Sequence, residues 1–428
     1  MNSTQNIKIS QITENLLIVG IDVGCLTHYA RAFDWRGREV SRVFKFTNCR
    51  DQFEQFLRWM RKVARENGKK KILVGLEPTG HYWFALAQFL EENRIGISMV
   101  NPYHVKQTKE LDDNNQTKND QKDPKVIAKL VIDGRFSYPY VPMGIYADLR
   151  NFHNMYLDCN KNLIKVKNKL ARWFNIWFPE YGEVFKDMGA KSSLMLLEKA
   201  RTPDAVIALG ADGINAIWRE VKLRAVGMKR AQRIVEAAKR SIGRKDGRRS
   251  ASFELEMLLA DYCKIKSQLD RVMAELEELC KEIPAAEQML AIKGIGLKTV
   301  VGFLAEVGDI GRFQTPKQIQ KLAGLALKEN SSGKHKGETS ISRRGRKRLR
   351  TVLFTAAISL IGKNEAWQTL HQHYTQRLNN PLKKKQSVVA ISCKLIRIFF
   401  TLLSKGVAYD EEKMLKDIVW ESEVPAAA

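Results

Sequence analysis

The chain has 428 residues, with 72 Lys and Arg against 47 Asp and Glu, which gives a formal net charge of +25 at pH 7. A hydrophobic fraction of 44% is enough for ordinary cores, which excludes a disordered chain, and the length predicts two or three domains. The charge excess predicts a polyanionic partner, and nucleic acid is favoured over a membrane surface because no long basic amphipathic helix is visible.

Signals for membranes, secretion and metal-binding cysteines are missing from the sequence. No uncharged apolar run reaches about 18 residues, so no membrane span is expected. The first ten residues lack the basic start and apolar stretch of a signal peptide. The six cysteines include no CxxC pair, so neither a zinc site nor a disulfide framework is expected. These features predict a cytosolic protein with reduced thiols.

Residues 16 to about 135 have an α/β pattern. Short apolar runs predict strands at Leu16–Asp22, Tyr29–Asp34, Val40–Phe46, Ile72–Leu76 and Ile97–Val100. Helical periodicity predicts helices from Asp51 to about Asn67 and through His81–Asn93. Three strands, a helix, a strand, a helix and a strand describe a mixed sheet flanked by helices. This is the element order of the ribonuclease-H-like fold.

Two acids close the two most apolar of these strands. Asp22 ends the run Leu16–Asp22, and Glu77 follows the run Ile72–Leu76. Buried carboxylates must be paired or bound to a metal ion, and Mg²⁺ takes carboxylate and phosphate oxygens as ligands. In a strongly basic chain the pair suggests divalent-metal chemistry on nucleic acid. On spacing alone, a turn or capping role for each acid stays open.

Two further acids lie at the start of a predicted helix. Asp123 precedes Pro124, and proline favours the first helical position, so Asp123 is also a candidate N-cap. Asp120 lies three residues earlier and shares a helix face with Asp123 if the helix begins before the proline.

The region from about 145 to 283 is predicted to be helical. Lys161–Trp177 carries five basic residues together with Trp173, Phe174 and Trp177, and residues 239–250 form a basic, glycine-containing break. An a/d heptad seam follows at Leu255, Leu258, Tyr262, Ile265, Leu269, Val272, Leu276 and Leu279. The seam predicts a coiled coil, hence dimerisation or an intramolecular helical hairpin, with an ordinary core helix as the alternative.

The region after Pro284 contains two basic motifs. Lys293–Thr299 (KGIGLKT) is typical of a helix-hairpin-helix, in which Gly294 and Gly296 expose backbone N–H groups to a phosphate while Lys293 and Lys298 add charge. A plain connection between two helices is the alternative. Residues 331–350 hold eight Lys and Arg and one Glu, beginning with a Ser-Ser-Gly turn. A serine surrounded by cations can attack phosphorus, or it can merely hydrogen-bond a phosphate.

Taken together, these motifs resemble the DEDD-type transposases of insertion-sequence family one-hundred-ten, the bridge-RNA-guided recombinases. The matching segments are GIDVG, GLEPTGHYW and KNDQKDPKVIA in the first region, and IKGIGLKTVVGFLAEVGDIGRF, AGLALKENSSGK and ISRRGRKRLR in the last. Asn119 and Pro124 depart from the usual family pattern, and the chain is long for the family, but no carboxylate is lost.

The resemblance implies a domain organisation. It implies a RuvC-like DEDD domain at residues 14–145, a helical linker at 146–283 with a coiled coil at about 253–281, a transposase domain at 284–375 and a helical extension at 376–428.

The resemblance also implies the catalytic groups. Asp22, Glu77, Asp120 and Asp123 would bind Mg²⁺ or Mn²⁺, and Ser332 would be the catalytic serine, with Ser331 as the fallback. The family joins acids and serine from different protomers of a dimer or tetramer, so a homo-oligomer is implied. Strands are cut through a phosphoserine link and resealed.

The resemblance also implies the partners: donor DNA, target DNA and a structured bridge RNA that selects both DNA sequences. Arg343, Arg344, Arg346 and Arg348 would hold DNA phosphates, helped by Lys293 and Lys298. Arg172, Trp173 and Arg244 are candidates for RNA contacts, with cations for the backbone and the aromatic ring for unpaired bases. A metal-dependent RuvC-like nuclease or junction resolvase without a serine link is the enzymatic alternative, and a basic coiled-coil binding protein with structural acids is the non-enzymatic one.

Overall fold

The structure of the protein is a computed structural model that describes residues 4–78, 80–112, 123–223, 226–328, 331–332, 335–336 and 339–416. The chain divides into two compact units, an N-terminal unit (Met1–Val141) and a C-terminal unit (Pro142–Ala428). The first holds a mixed sheet with helices and the second is largely helical. The predicted order of an α/β region followed by a helical region is confirmed.

A mixed sheet of six strands organises the N-terminal unit. The strands are β1 (Leu16–Val23), β2 (Thr27–Phe33), β3 (Phe44–Thr47), β4 (Lys71–Leu76), β5 (Gly96–Val100) and β6 (Phe136–Ser137). Their order across the sheet is β3-β2-β1-β4-β5-β6. β1, β4 and β5 are parallel neighbours, whereas β2, β3 and β6 run antiparallel to the strand beside them. The third strand starts at Phe44 rather than at the predicted Val40, and the two-residue β6 is too short to show a period.

Helices cover both faces of this sheet. They are α1 (Thr4–Ile9), α2 (Arg50–Glu66), α3 (Phe84–Glu92), α4 (Pro102–Asp112) and α5 (Asp123–Ile132). Because successive side chains of a strand alternate between faces, β1 contributes to two cores. Val19 and Ile21 pack with α2 and α3 on one face, while Leu16 and Ile18 pack with α5 on the other.

Helices of very different length build the C-terminal unit. They are α6 (Ile145–Trp177), α7 (Tyr181–Val184), α8 (Lys191–Lys199), α9 (Pro203–Glu220), α10 (Met228–Lys239), α11 (Arg248–Lys281), α12 (Pro284–Leu290), α13 (Leu297–Val307), α14 (Pro316–Leu322), α15 (Lys347–Lys363), α16 (Glu365–Gln376), α17 (Lys384–Lys405) and α18 (Glu411–Leu415). Between α14 and α15, the residues that the structure describes include the short strands β7 (Leu327–Lys328), β8 (Ser331–Ser332), β9 (His335–Lys336) and β10 (Ser340–Ile341).

The heptad seam of α11 packs inside the chain. Leu255, Leu258 and Leu269 share a buried core with Leu163 and Leu170 of α6. The indole N–H of Trp173 donates to the carbonyl oxygen of Ala251 at 2.9 Å, while Leu149 near the start of α6 packs with Leu276 near the end of α11. The two helices therefore form an antiparallel intramolecular hairpin. Of the two outcomes that the seam predicted, the hairpin is the one observed, and the seam is not a free surface for pairing protomers.

Helices α7 to α10 pack into the core of this hairpin, whereas α12 to α18, with the start of α6 and the end of α11, surround one further core. Phe303 of α13, Leu353 of α15 and Phe399 of α17 are completely buried in it. α17 has the length and composition of a membrane-crossing helix, with a mean hydropathy of 1.8. Because it packs against α14, α15 and α16, its apolar character is that of a core helix.

Candidate active site

Two acidic side chains lie at one edge of the N-terminal sheet. In the parallel pair β1 and β4, Ile21 lies opposite Leu76, and each strand continues into its acid at the next residue. Asp22 is the next-to-last residue of β1, and Glu77 comes directly after β4. Both residues are half-buried. The sequence prediction that each acid closes an apolar strand agrees with this register, and the parallel pairing of the two strands brings both acids to one sheet edge.

Asp22 and Glu77 also share a face of the sheet. Side chains two or four residues apart on a strand point to the same side, so Asp22 lies on the side of Ile18 and Glu77 on the side of Leu73. Ile18 and Leu73 both belong to the core that α5 covers. The two acids therefore face the side of the sheet on which α5 begins.

A pair of glycines allows α5 to lie directly on β1 and β4. Gly20 and Gly75 are register partners, and each precedes its acid by two residues. A Cβ on Gly20 would lie 1.9 Å from the backbone oxygen of Pro124, and a Cβ on Gly75 would lie 2.6 Å from Cγ2 of Val131. Since only hydrogen fits at Gly20, the first turn of α5 is held in direct contact with β1.

The third acid, Asp123, is the first residue of α5. Burial raises the pKa of Glu77, the positive charge of Lys109 opposes that rise, and the negative charge of Asp123 adds to it. Glu77 and Asp123 are therefore close enough for their charges to interact. Asp120, the fourth predicted ligand, lies outside the described residues.

Lys109 of α4 brings a positive charge to this acidic edge. Its ammonium group forms an ion pair with the carboxylate of Asp123. Among the residues that the structure describes, no group of three or more His, Cys, Asp and Glu is close enough to hold a metal ion. The donors at this edge are nevertheless carboxylate oxygens, the ligands that Mg²⁺ prefers, and their mutual repulsion is already relieved by one cation. The chemistry of the donor set thus fits a hard divalent cation.

The Gly20 contact yields a stability prediction. Gly20→Ala is expected to destabilise the N-terminal unit by about 3 kcal/mol, because the new methyl group would force α5 away from β1. Thermal unfolding followed by circular dichroism measures the effect. Gly362→Ala in α15 is the matched control, since a Cβ there meets no atom within 4 Å, and it should be neutral or slightly stabilising. Equal melting temperatures for the two variants would contradict the close approach of α5.

The predicted helix-hairpin-helix is a short connection between α12 and α13. Gly294 has a φ of +102°, and its carbonyl oxygen accepts a hydrogen bond from the hydroxyl of Ser359 at 2.8 Å. Gly296 is the residue before α13, so it lies at a helix N-terminus as predicted. Lys293 and Lys298 are exposed on either side. These four residues form a cationic, glycine-containing helix start.

The Ser-Ser-Gly segment contains an antiparallel strand pair. β8 and β9 pair with Ser331 opposite Lys336 and Ser332 opposite His335. Gly333 and Lys334 lie outside the described residues, as do the side chains of both serines. The backbone therefore places Ser332 at the end of β8, and its role stays a prediction.

The arginine-rich segment after β10 is fixed by its backbone. Residues 342–346 donate three hydrogen bonds of 2.7–3.0 Å to the carbonyl oxygens of residues 322–326. Arg343 adopts a φ of +54° in this segment, a conformation that costs energy for a residue with a side chain. Arg343 and Arg344 are exposed. A rigid backbone thus presents two of the four predicted phosphate-binding arginines.

The other two predicted arginines have partners within the protein. The guanidinium of Arg346 donates to the backbone oxygen of Glu306 at 2.7 Å and lies 3.3 Å from its carboxylate. Arg348 is exposed, and it donates to the side-chain oxygen of Asn154. Arg346 therefore ties this segment to α13, which gives it a structural role that the sequence did not indicate.

The three residues suggested for RNA contacts differ in exposure. Arg172 and Arg244 are exposed. Trp173 is only 1% exposed, and its indole N–H is bonded to Ala251. The expectation that Trp173 stacks on an unpaired base is corrected, because its ring belongs to the core of the α6–α11 hairpin.

Sequence reasoning missed Lys109, Gly20 and Gly75. A signal for the glycines was present, because both strands end in the same pattern, Val-Gly-Ile-Asp in β1 and Val-Gly-Leu-Glu in β4. A glycine inside a buried strand marks the close approach of another backbone. Lys109 carried no comparable signal, since it is one of many lysines.

Comparisons with known proteins match both units of the chain. Residues 19–179 match a sequence family described as "Transposase" (DEDD_Tnp_IS110), and residues 286–372 match "Transposase IS116/IS110/IS902 family". The "Pilin gene-inverting protein" of Moraxella bovis is 33% identical over 149 residues, which cover 34% of this chain and 45% of that protein.

Two further relatives carry insertion-sequence names. The "Transposase for insertion sequence element IS1111A" of Coxiella burnetii is 27% identical over 33% of this chain and 40% of that protein. The "Insertion element IS900 uncharacterized 42 kDa protein" of Mycobacterium paratuberculosis is 24% identical over 51% of this chain and 54% of that protein. The chain spans about half the length of the curated relatives it matches.

Proposed function

Because this chain belongs to the IS110 family of DEDD transposases, we propose that it cuts and rejoins DNA strands as the transposase of an insertion sequence. The observation that carries this proposal is the acidic edge of the N-terminal sheet. Asp22 and Glu77 end neighbouring parallel strands on one face, and α5 begins with Asp123 within electrostatic range of Glu77. A structural role for all three acids would not require a buried strand pair to end in two carboxylates facing the same helix.

The N-terminal unit is proposed to be a RuvC-like domain of ribonuclease-H fold. The proposal is supported by the sheet, in which β1, β2 and β3 are antiparallel neighbours and β4 and β5 follow β1 in parallel. Asp22, Glu77, Asp120 and Asp123 would hold Mg²⁺ or Mn²⁺, which supplies charge stabilisation at the scissile phosphate when bound. Lys109 would release Asp123 as the site fills, and its ammonium would then be available to a phosphate oxygen.

The proposed nucleophile is the hydroxyl of Ser332. Its oxygen would form a bond to phosphorus while the bond from phosphorus to one deoxyribose oxygen breaks. The released deoxyribose hydroxyl takes up a proton, and the serine hydroxyl loses one, so atoms and charge balance. A phosphodiester replaces a phosphodiester, so resealing by the reverse reaction needs no ATP. Arg343 and Arg344, held on their rigid segment, would neutralise neighbouring phosphates.

The proposed partners are donor DNA, target DNA, a structured bridge RNA and further copies of this chain. The bridge RNA would select the donor and target DNA sequences by base pairing. The acids of one protomer and the serine of another would act on the same phosphate. Lys293, Lys298 and the N-terminus of α13 would anchor the DNA backbone without reading its bases. Since the α11 seam is filled by α6, another surface would join the protomers.

The products of the reaction test this proposal against a nuclease without a serine link. The protein would be incubated with Mg²⁺, the flanking non-coding RNA of its element, and matched donor and target duplexes. We expect rejoined recombinant strands and no net hydrolysis. Cleaved ends without any rejoined product, and without a protein–DNA link, would favour the metal-only nuclease.

A further inference from the structure

A line of exposed cations runs along the outer face of α6. Lys161, Lys165, Lys169 and Arg172 are all exposed and are spaced by four, four and three residues. Residues at these spacings share one helix face. Leu163, Val166 and Leu170, on the opposite side of α6, are buried against the rest of the hairpin. The core thus fixes the direction in which the four cations point.

The loop after α10 meets the end of this helix. Ile176 follows Arg172 by four residues, so it lies on the same face, and its carbonyl oxygen accepts a hydrogen bond from the backbone N–H of Arg244 at 3.0 Å. The guanidinium of Arg244 lies over the ring of Trp177 at 5.8 Å. Trp177 shares the face of the buried Trp173, so Arg244 lies outside the row of four cations. We call Lys161, Lys165, Lys169 and Arg172 the α6 track, which is about 17 Å long at 1.5 Å per residue of helix.

The charge of the track differs from that of an ordinary solvated helix face. From Lys161 to Trp177 the helix contains no acidic residue. The outer face of α11 in the same hairpin mixes both signs, with ion pairs from Lys266 to Asp270 and from Lys281 to Glu278. No cation of the α6 track forms an ion pair with a residue that the structure describes. A surface with unbalanced charge in regular steps of about 6 Å is suited to a polyanion of regular spacing.

The aromatic residues near the track decide which form of nucleic acid fits. Trp173 is buried, and Trp177 is half-buried beneath Arg244. Recognition of single strands depends on exposed aromatic rings on which bases stack, and the track offers none. A straight row of cations suits the backbone of a duplex, and about 17 Å corresponds to the rise of roughly five base pairs.

We propose that the α6 track binds the phosphodiester backbone of duplex DNA, independently of its sequence. The inference rests on the proposed function, since DNA is the duplex on which a transposase acts. It assigns to the α6–α11 hairpin a DNA-docking role in place of the dimerisation that the heptad seam suggested. It also replaces the expected RNA contact at Arg172 with a DNA contact.

The salt dependence of binding tests the proposal. In the full-length protein, Lys161, Lys165, Lys169 and Arg172 would all be replaced by Gln, and the dissociation constant for a 30-base-pair DNA duplex would be measured from 50 to 200 mM salt. Four lost phosphate contacts should reduce the slope of log K against log salt by about 3.6. The fall in affinity across that range should then be about 100-fold smaller than for the wild-type chain.

A charge-matched variant separates the track from net charge. Replacing Lys264, Lys266, Arg271 and Lys281 of α11 by Gln removes four positive charges from the mixed-charge face, and the slope should change by less than about 1. If the slope of log K against log salt falls equally in both variants, or in neither, the proposal is overturned. If the slope of the α6 variant falls for a structured RNA but not for the DNA duplex, DNA is the wrong partner.

Folding and function are controlled in the same experiment. All replaced side chains are exposed, so melting temperatures should match the wild type, and the double variants Lys161/Lys165 and Lys169/Arg172 should each show half the effect if the fourfold variant unfolds. Wild-type protein that fails to bind duplex DNA at all would contradict the proposed function as well. If the wild-type protein binds duplex DNA and the α6 variant has the same salt slope, the α6 track is not a DNA-binding surface, and the proposed function is unaffected.

Discussion

Strand cleavage is expected to fall by about 10³-fold or more when Glu77 is replaced by Gln or Asp22 by Asn, with the fold intact. Each change removes a carboxylate from the acidic edge, where several kcal/mol of transition-state stabilisation depend on bound divalent cations. Binding of DNA and RNA should be largely retained, because the cationic surfaces are unaffected. Cleavage of labelled duplex in the presence of the flanking RNA measures the first effect, and gel-shift titration measures the second.

Glu77→Gln should lower the rate of cleavage without lowering the stability of the fold. The pKa of the Glu77 carboxyl is higher in the folded chain than its ordinary value, because burial disfavours the charged form and Asp123 adds negative charge. A raised pKa means that ionisation lowers stability at pH values above the ordinary pKa of 4.5. The neutral amide should therefore leave the melting temperature at pH 7 unchanged or higher.

Asp34 provides a matched acidic control in the same sheet. It is 6% exposed and accepts hydrogen bonds from the backbone N–H groups of Arg36 and Arg38 at 2.9 Å each. Asp34→Asn should therefore lower the melting temperature while leaving the cleavage rate of the folded fraction close to the wild type. Cleavage that survives both Glu77→Gln and Asp22→Asn would show that the acidic edge is structural.

Replacing Ser332 by Ala is expected to abolish the covalent protein–DNA link and all strand exchange. Only the hydroxyl oxygen is removed, so stability and DNA binding should match the wild type. Denaturing gel electrophoresis of the protein with end-labelled DNA detects the link directly. The loss should exceed about 10³-fold, since removing a catalytic nucleophile removes the covalent route itself.

Ser331→Ala is the matched control, one residue earlier in the same strand. Ser332 directly precedes Gly333, whereas Ser331 lies one residue further from the glycine, and the family resemblance selects the serine next to the glycine. We expect Ser331→Ala to form the link at a rate near that of the wild type. The opposite pattern would move the nucleophile to Ser331, and full activity in both variants would exclude a serine mechanism in this segment.

The sequence predicted the sheet well, because strong local patterns coincide with the fold there. The runs ending in Asp22 and Glu77 are apolar on both faces, which is typical of central parallel strands, and both are strands in the structure. The helix predicted from Asp51 spans Arg50–Glu66, since its apolar residues recur at helical spacing. Where the pattern is short or weak, as at Val40 and in the two-residue β6, prediction was inaccurate or absent.

The site was only partly predictable, because tertiary contacts decide the roles of several residues. The heptad of α11 identified a buried seam, but a seam does not state whether its partner belongs to the same chain. Trp173 lies in a basic segment and yet faces the core, and Arg346 lies in an arginine cluster and yet binds Glu306. Lys109 reaches Asp123 only because α4 and α5 meet, which no spacing within either helix reveals.

Mixing two inactive variants tests most directly whether the acids and the serine act on one phosphorus atom. Asp22→Asn retains Ser332, and Ser332→Ala retains the acids, so a mixed oligomer contains one complete composite site. We expect neither protein alone to form the covalent link with DNA, and the mixture to form it at about a quarter of the wild-type level, as random pairing of a dimer predicts. A link formed by Asp22→Asn alone, or a mixture as inactive as its two components, would contradict a site shared between protomers.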